Sequence, residues 1–140
     1  MKLCVLASGS KGNSTYIESN QKKILIDIGM SCLYIEKTLL SINVRPKEID
    51  GILITHTHSD HINGLRVFLK KYNTTLYITE KIYKELSAQM EIKNYVIVDK
   101  KFYLEQLKVE IIKTSHDAED SNGYILSDES SSLAYITDTG

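Results

Sequence analysis

The amino-acid sequence predicts a mixed α/β fold, α+β in some classification schemes, built as one domain over residues 1–140. Two observations lead to this class. Short apolar runs bounded by turn residues predict strands, and segments with an apolar period of about 3.6 residues predict helices between them. The C-terminal part then turns to strands alone, which differs from a regular parallel βαβ series.

The first part of the chain is predicted to hold three strands and a helix. The strands are predicted over residues 2–7, 15–18 and 23–27. Asn20-Gln21 suits a hairpin turn between the second and third strands. A helix is predicted over residues 31–42, with Ser31 as its N-cap. Its apolar face consists of Cys32, Ile35, Leu39 and Ile42.

The middle of the chain is predicted to alternate strands and helices. A short strand over residues 51–55 leads directly into a histidine cluster. Helices are predicted over residues 60–72 and 80–90, with a strand over residues 76–79 between them. Further strands are predicted over residues 95–98, 102–105, 108–114, 123–126 and 133–137. Residues 128–131 suit a hairpin turn between the last two.

Charge and composition restrict the function classes. The net charge is -1 and the pI is about 6.4, so charge alone does not indicate a nucleic-acid partner. A bound metal would add positive charge that this count misses. The two cysteines, Cys4 and Cys32, are interpreted as buried apolar residues in a reducing compartment. The N-terminal apolar run is too short for a signal peptide, and no stretch is long enough for a membrane span, so we expect a cytoplasmic protein without membrane association.

The segment Thr55-His56-Thr57-His58-Ser59-Asp60-His61 carries the strongest chemical signal. His56 and His58 alternate by two residues, so in extended backbone their side chains point the same way, and Asp60 and His61 lie in the next turn. Three of the four histidines fall in this window, and the fourth, His116, ends another predicted strand. Imidazole suits Zn²⁺, and a carboxylate admits harder ions such as Mn²⁺. A surface loop with chance histidines is disfavoured, because a strand precedes the motif and a helix follows it.

The motif His-x-His-x-Asp-His after an apolar strand resembles the signature of the metallo-β-lactamase superfamily. Asp27 matches the early aspartate of that family, His116 its next metal histidine and Asp138 its bridging carboxylate. Further segments are similar to its WalJ/YycJ-like branch: Ser-Gly-Ser-x-Gly-Asn-Ser over residues 8–14, His116-Asp117-Ala118, Gly123-Tyr124 and Thr-Asp-Thr-Gly over residues 137–140.

The resemblance implies an αββα sandwich that holds two divalent metal ions, with zinc favoured over manganese or iron. It assigns His56, His58 and His116 to the first ion, Asp60 and His61 to the second, and Asp138 to both. It also implies hydrolysis by a hydroxide that bridges the two ions, with Asp60 as the catalytic residue that orients it and accepts its proton. Asp27 would support the ligands without binding metal.

Two weaker signals leave alternatives open. Ser8, Gly9, Ser10 and Asn13 could surround a phosphate with N–H groups and hydroxyls, or could form a glycine-dependent turn without a ligand. Asp117 could orient His116 as a supporting carboxylate, or could lie in a solvated loop.

Members of the resembling family continue well beyond the bridging aspartate and include a further metal histidine. This chain has no histidine after His116, so we expect the fold to be truncated before its C-terminal part and the second metal site to be one ligand short. An exposed apolar face or strand edge would then favour a homodimer.

Three functions remain open at this point. The leading hypothesis is a phosphodiesterase, an exonuclease-type nuclease with DNA as substrate. The alternatives are a thioester, lactone or β-lactam hydrolase on the same fold, and a non-catalytic metal-binding fragment.

Overall fold

A computed structural model describes residues 1–116 and 119–135, and it describes their side chains except at 114–116 and 119–121. Its larger sheet has six strands that lie side by side in the order of the sequence. The strands are β1 (Lys2–Ala7), β2 (Ser14–Ser19), β3 (Lys22–Ile26), β4 (Gly51–Leu53), β5 (Leu76–Ile78) and β6 (Tyr95–Ile97). The first three pair antiparallel, and β3 to β6 pair parallel.

The smaller sheet is an antiparallel meander in the order β10-β9-β8-β7. Its strands are β7 (Lys101–Leu104), β8 (Leu107–His116), β9 (Glu119–Ser127) and β10 (Ser132–Tyr135). The predicted turn over residues 128–131 is confirmed, since the N–H of Asp128 donates to the carbonyl of Ser131 at 2.9 Å. The strands β8 and β9 are longer than predicted, because they pair along one continuous hairpin from Lys108 to His116.

The helices are α1 (Cys32–Ser41), α2 (Ser59–Ile62), α3 (Leu65–Tyr72) and α4 (Glu80–Ser87), with a 3₁₀ turn over Pro46–Glu48. The predicted N-cap of α1 is confirmed, because the Ser31 side chain accepts a hydrogen bond from the N–H of Tyr34 at 3.2 Å. The single helix predicted over residues 60–72 is wrong. Gly64 separates α2 from α3, and its N–H donates to the carbonyl of Ile28 at 2.9 Å. A β-carbon at Gly64 would overlap the carbonyl oxygen of Met30, so the chain crosses here at closer range than any other residue allows.

The central strands β3 and β4 of the larger sheet are buried on both faces, which explains why they read as continuous apolar runs. Along β3, the Leu25 side chain faces the helices, whereas Ile24 and Ile26 face the smaller sheet. The cluster between the sheets also contains Tyr124, which is fully buried. The molecule therefore has a helix layer, a central sheet and a second sheet, and the carboxyl ends of β3, β4 and β5 share one edge.

Two backbone conformations refine the predicted strand ends. Asn20 and Gln21 adopt φ values of 49° and 68°, which confirms the predicted hairpin turn. The strand predicted over residues 23–27 ends at Ile26, because Asp27 turns into the left-handed region with a φ of 66°. Aspartate tolerates that conformation better than most residues. The turn directs the Asp27 side chain into the edge where the histidine cluster lies.

Candidate metal centre

The histidine cluster follows β4 and leads into α2, as the sequence predicts. Two hydrogen bonds from β9 hold this segment in place. The Tyr124 hydroxyl donates to the carbonyl of Ile54 at 2.6 Å, and the N–H of Asn122 donates to the carbonyl of Thr55 at 2.7 Å. The smaller sheet therefore fixes the backbone that carries the histidines. No periodic pattern in the sequence indicates these two contacts.

Three imidazoles lie close together in this segment. The ring centroids of His56 and His61 are 3.7 Å apart, and those of His56 and His58 are 5.1 Å apart with nearly perpendicular rings. His61 is buried, His56 is half-buried and His58 is exposed. The alternation predicted from sequence therefore gathers the rings at one place.

Asp27 organises the buried end of the cluster. Its Oδ2 lies 2.7 Å from Nδ1 of His61, and its carboxylate is itself completely buried. Thr55 donates to the same carboxylate twice, from its N–H to Oδ1 at 2.8 Å and from its hydroxyl to Oδ2 at 2.6 Å. Because Nδ1 of His61 is held by Asp27, Nε2 is the ring nitrogen that remains for a metal ion.

Thr55 was not among the residues predicted to matter. Its hydroxyl oxygen lies 3.0 Å from Nδ1 of His56 and 3.3 Å from Nδ1 of His61, besides donating to Asp27. The only signal in the sequence is a polar residue at the end of an apolar strand. The Thr55 hydroxyl lies beside Nδ1 of both rings, so Nε2 of each ring points away from it.

The rings of His56 and His61 differ in proton affinity. Burial lowers the pKa of His56, and the neighbouring His61 lowers it further. Burial acts in the same direction on His61, but the hydrogen bond and the charge of Asp27, together with Asp60, outweigh it and raise the pKa of His61. A metal ligand must be unprotonated, so protons would compete with a metal ion more strongly at His61 than at His56.

Asp60 lies on the open side of His61. Its Oδ2 is 3.3 Å from Nε2 of His61, and its side chain is 33% exposed. Nδ2 of Asn13 lies 3.3 Å from the same carboxylate oxygen. Asp60 is thus the acidic group of the cluster that solvent reaches.

The donor chemistry suits a divalent ion, since imidazoles with anchored Nδ1 atoms and a carboxylate face one another. Among the side chains that the structure describes, no three of His, Cys, Asp and Glu already surround one point. Asp117 and Asp138 lie outside the described residues, as does the side chain of His116. The backbone of β8 ends at His116, on the same hairpin that binds Thr55 through Asn122.

Comparison with known proteins assigns the family. The model of the metallo-beta-lactamase superfamily matches residues 7–133, which include the histidine cluster. The chain belongs to the metallo-β-lactamase superfamily. This confirms the predicted family and sandwich fold, and the superfamily implies divalent metal ions.

Two curated relatives of the superfamily align with nearly the whole chain. Exodeoxyribonuclease WalJ of Streptococcus pneumoniae serotype 2 (strain D39 / NCTC 7466) is 37% identical over 146 residues, which is 99% of this chain and 54% of the relative. Exodeoxyribonuclease YycJ of Bacillus anthracis is 36% identical over 144 residues, 97% of this chain and 53% of the relative. The chain thus spans about half the length of the curated relatives that it matches.

A solved structure supports the fold independently. Rm3 metallo-beta-lactamase superposes with a TM-score of 0.73 at 18% identity, covering 94% of this chain and 56% of that protein. At this identity the likeness concerns the fold alone.

The predicted phosphate loop folds upon itself. The N–H of Gly9 donates to Oδ1 of Asn13 at 3.2 Å, and Nδ2 of Asn13 donates to the carbonyl of Gly9 at 3.1 Å. Ser8 and Ser10 are exposed. Two of the four groups predicted to contact a phosphate are therefore already paired with each other, and the two serine hydroxyls are the ones that face solvent.

A groove of 610 Å³ lies beside the metallo-β-lactamase motif, lined in part by Thr79, Glu85 and Asn122. It connects to the motif where the Thr57 hydroxyl donates to Glu85 at 3.0 Å. Its described lining carries three lysines and three acidic side chains: Lys81, Lys84, Lys113, Glu80, Glu85 and Asp99. These charges balance, so the groove does not by itself favour an anionic ligand.

Proposed function

We propose that this chain acts as a metal-dependent phosphodiesterase, an exonuclease-type nuclease with DNA as its substrate. One observation carries the proposal: relatives named exodeoxyribonucleases align with 97–99% of the chain, histidine cluster included, at 36–37% identity. The buried Asp27–His61 pair and the partly exposed Asp60 support it, because the proposed ligand His61 is held by one carboxylate and lies beside a second one that solvent reaches.

The ligand assignment follows the family motif. His56, His58 and His116 would hold one ion, Asp60 and His61 a second, and Asp138 both. Zinc suits the imidazole-rich set, with manganese or iron as alternatives. When bound, such ions polarise the phosphodiester and lower the pKa of water.

The side chains themselves have separate tasks. Asp27 holds His61 through Nδ1, and Thr55 fixes the carboxylate of Asp27 with two hydrogen bonds. Asp60 is the proposed catalytic residue, since its partly exposed carboxylate can accept a proton from the attacking water. The hydroxyls of Ser8 and Ser10 are the proposed phosphate contacts of the loop, while Gly9 and Asn13 shape it. Asp117 as a support for His116 stays a prediction.

The test is a nuclease assay on the purified chain. We expect metal-dependent release of nucleotides from linear DNA labelled at one end, no cleavage of circular DNA, and no turnover of a thioester or lactone reporter. His58→Ala should abolish release, whereas Lys37→Ala, on the exposed face of α1, should leave it unchanged. Thioester turnover alone would favour the other hydrolase class. Bound zinc without any turnover would favour a non-catalytic metal-binding fragment.

We also propose that two copies associate as a homodimer through an exposed edge or face. The edge strand β1 exposes Leu3 by 46% and Val5 by 55%, and the opposite edge strand β6 exposes Val96 by 44%. Apolar side chains on sheet edges favour pairing with a second chain. Light scattering during gel filtration should give twice the monomer mass, and Leu3→Lys should restore the monomer if β1 forms the contact.

A cytoplasmic location and a single domain complete the proposal. In the described part of the chain, no helix has the length and apolar character that a membrane crossing requires. Both cysteines are free thiols, which fits a reducing compartment. The larger sheet contributes to both apolar clusters, which supports one domain over residues 1–140. Fractionation of cells that express the chain would test the location.

A further inference from the structure

The loop between β1 and β2 meets the start of α2 at one side chain, Asn13. Its backbone N–H donates to the carbonyl of Asp60 at 2.7 Å, and its Nδ2 lies 3.3 Å from that same carbonyl oxygen. Nδ2 is also 3.3 Å from Oδ2 of Asp60 and 3.5 Å from Nε2 of His61. One residue thus contacts both the backbone and the carboxylate of Asp60, beside the ring nitrogen of His61 that Asp27 does not contact.

The partners of Asn13 fix which way its amide points. Oδ1 accepts from the N–H of Gly9 at 3.2 Å, while Nδ2 donates to the carbonyl of Gly9 at 3.1 Å. The reversed amide would place Oδ1 against the oxygens of Gly9 and Asp60, none of which can donate. The donor therefore faces Asp60, with one hydrogen for Gly9 and the other for Asp60.

We propose that Asn13 is a positioning residue of the metal centre, which fixes the rotation of the Asp60 carboxylate by donating to its Oδ2. The inference rests on the proposed function, because it assigns Asp60 a place among the metal ligands. The terminal torsion of an aspartate is broad, and packing restrains this side chain little because it is 33% exposed. The neutral amide of Asn13 restrains the Asp60 carboxylate without adding charge. It leaves Oδ1 of Asp60 for an ion or a water molecule.

Asn13 also folds its own loop through Gly9, so a test must separate the two roles. Asp60→Ala first defines the zinc binding that depends on Asp60, measured by calorimetric titration of the metal-free chain with zinc. Asn13→Ala removes both roles of the side chain. Asn13→Ser keeps a polar side chain that suits a turn, but its hydroxyl is shorter than the amide and does not reach Asp60. Lys11→Ala, at an exposed position of the same loop, is the matched control.

We expect Asn13→Ala and Asn13→Ser to lower the affinity for the Asp60-dependent zinc about 10-fold or more. The affinity for any zinc that does not depend on Asp60 should change less than about 2-fold. In Lys11→Ala, the affinity for every zinc should likewise stay nearly unchanged. A double variant that combines Asp60→Ala with either Asn13 substitution should then bind zinc as well as Asp60→Ala alone. If Asn13→Ala does not fold, Asn13→Ser decides the matter.

Each other outcome overturns the proposal. Equal weakening of every zinc site, or a further loss on the Asp60→Ala background, would mean that Asn13 acts by folding the loop. No weakening would mean that Asp60 needs no donor. If wild-type chain binds zinc and cleaves DNA in these cases, only the role of Asn13 is lost. If wild-type chain binds no zinc, the proposed function fails as well.

Discussion

Oδ2 of Asp27 lies 2.7 Å from Nδ1 of His61, and neither side chain is more than 5% exposed. Asp27 directly follows β3, and His61 lies in α2, 34 residues further along the chain. The pair is possible because Asp27 leaves the strand with a φ of 66°, which turns its carboxylate towards the histidines. The hydrogen bond orients the ring so that Nε2 is the nitrogen left for the proposed metal ion.

Asp27→Asn should weaken zinc binding by about 10–100-fold, the usual cost of losing such a supporting carboxylate. Asparagine tolerates the left-handed backbone, so the fold should survive. The measurement is zinc competition against a chelating dye. Asp50→Asn is the control, since Asp50 accepts from the N–H of Lys23 at 2.8 Å on another part of β3. Equal zinc affinity in wild type and Asp27→Asn would contradict the supporting role.

Tyr124→Phe should destabilise the fold by about 1–3 kcal/mol, because the buried carbonyl of Ile54 loses its donor. The hydroxyl is fully buried, and burial raises the pKa of Tyr124, so it stays protonated and donates at any ordinary pH. Urea unfolding gives the free energy. Tyr103→Phe, at a side chain that is 58% exposed, should change it little. A similar loss in both variants would mean that the Ile54 contact is unimportant.

The sequence predicts the local part of this site and misses the contacts between distant segments. The alternation of His56 and His58 predicts that their rings lie on one side, because that depends only on locally extended backbone. The break at Gly64 was missed, since it depends on how closely the backbone of Met30 approaches. Likewise, the contact of Asn13 with Asp60 joins residues 47 positions apart, so a local sequence pattern cannot predict it.

Asp128→Asn should make stability less dependent on pH. The hydrogen bond from Ser19 at 2.5 Å, together with the N–H groups of Ser130 and Ser131, lowers the pKa of Asp128. A lowered pKa stabilises the fold above the unfolded value of about 4, and this contribution disappears as the pH falls through the lower, folded value. The loss of unfolding free energy in the variant, relative to wild type, should therefore be largest at neutral pH and become smaller in acid.

Urea unfolding at neutral pH and in steps below pH of about 4 measures this deficit. Glu129→Gln removes the same charge at an exposed neighbouring position and serves as the control. If both variants change alike with pH, the effect comes from net charge and not from the hydrogen bonds of Asp128.

Gly29→Ala should disturb the fold and the metal centre together. A β-carbon there would overlap the carbonyl oxygen of Asp60 and press on the N–H of Asn13, which are the two groups joined by the 2.7 Å hydrogen bond. Backbone cannot yield as a flexible side chain can, so we expect a loss of about 1–3 kcal/mol in urea unfolding. Zinc affinity should fall as well, because Asp60 moves relative to His61. Ser10→Ala, at an exposed site of the loop that carries Asn13, should affect neither measurement. A stable Gly29→Ala protein with unchanged zinc affinity would show that α2 and the loop can separate without moving the ligands.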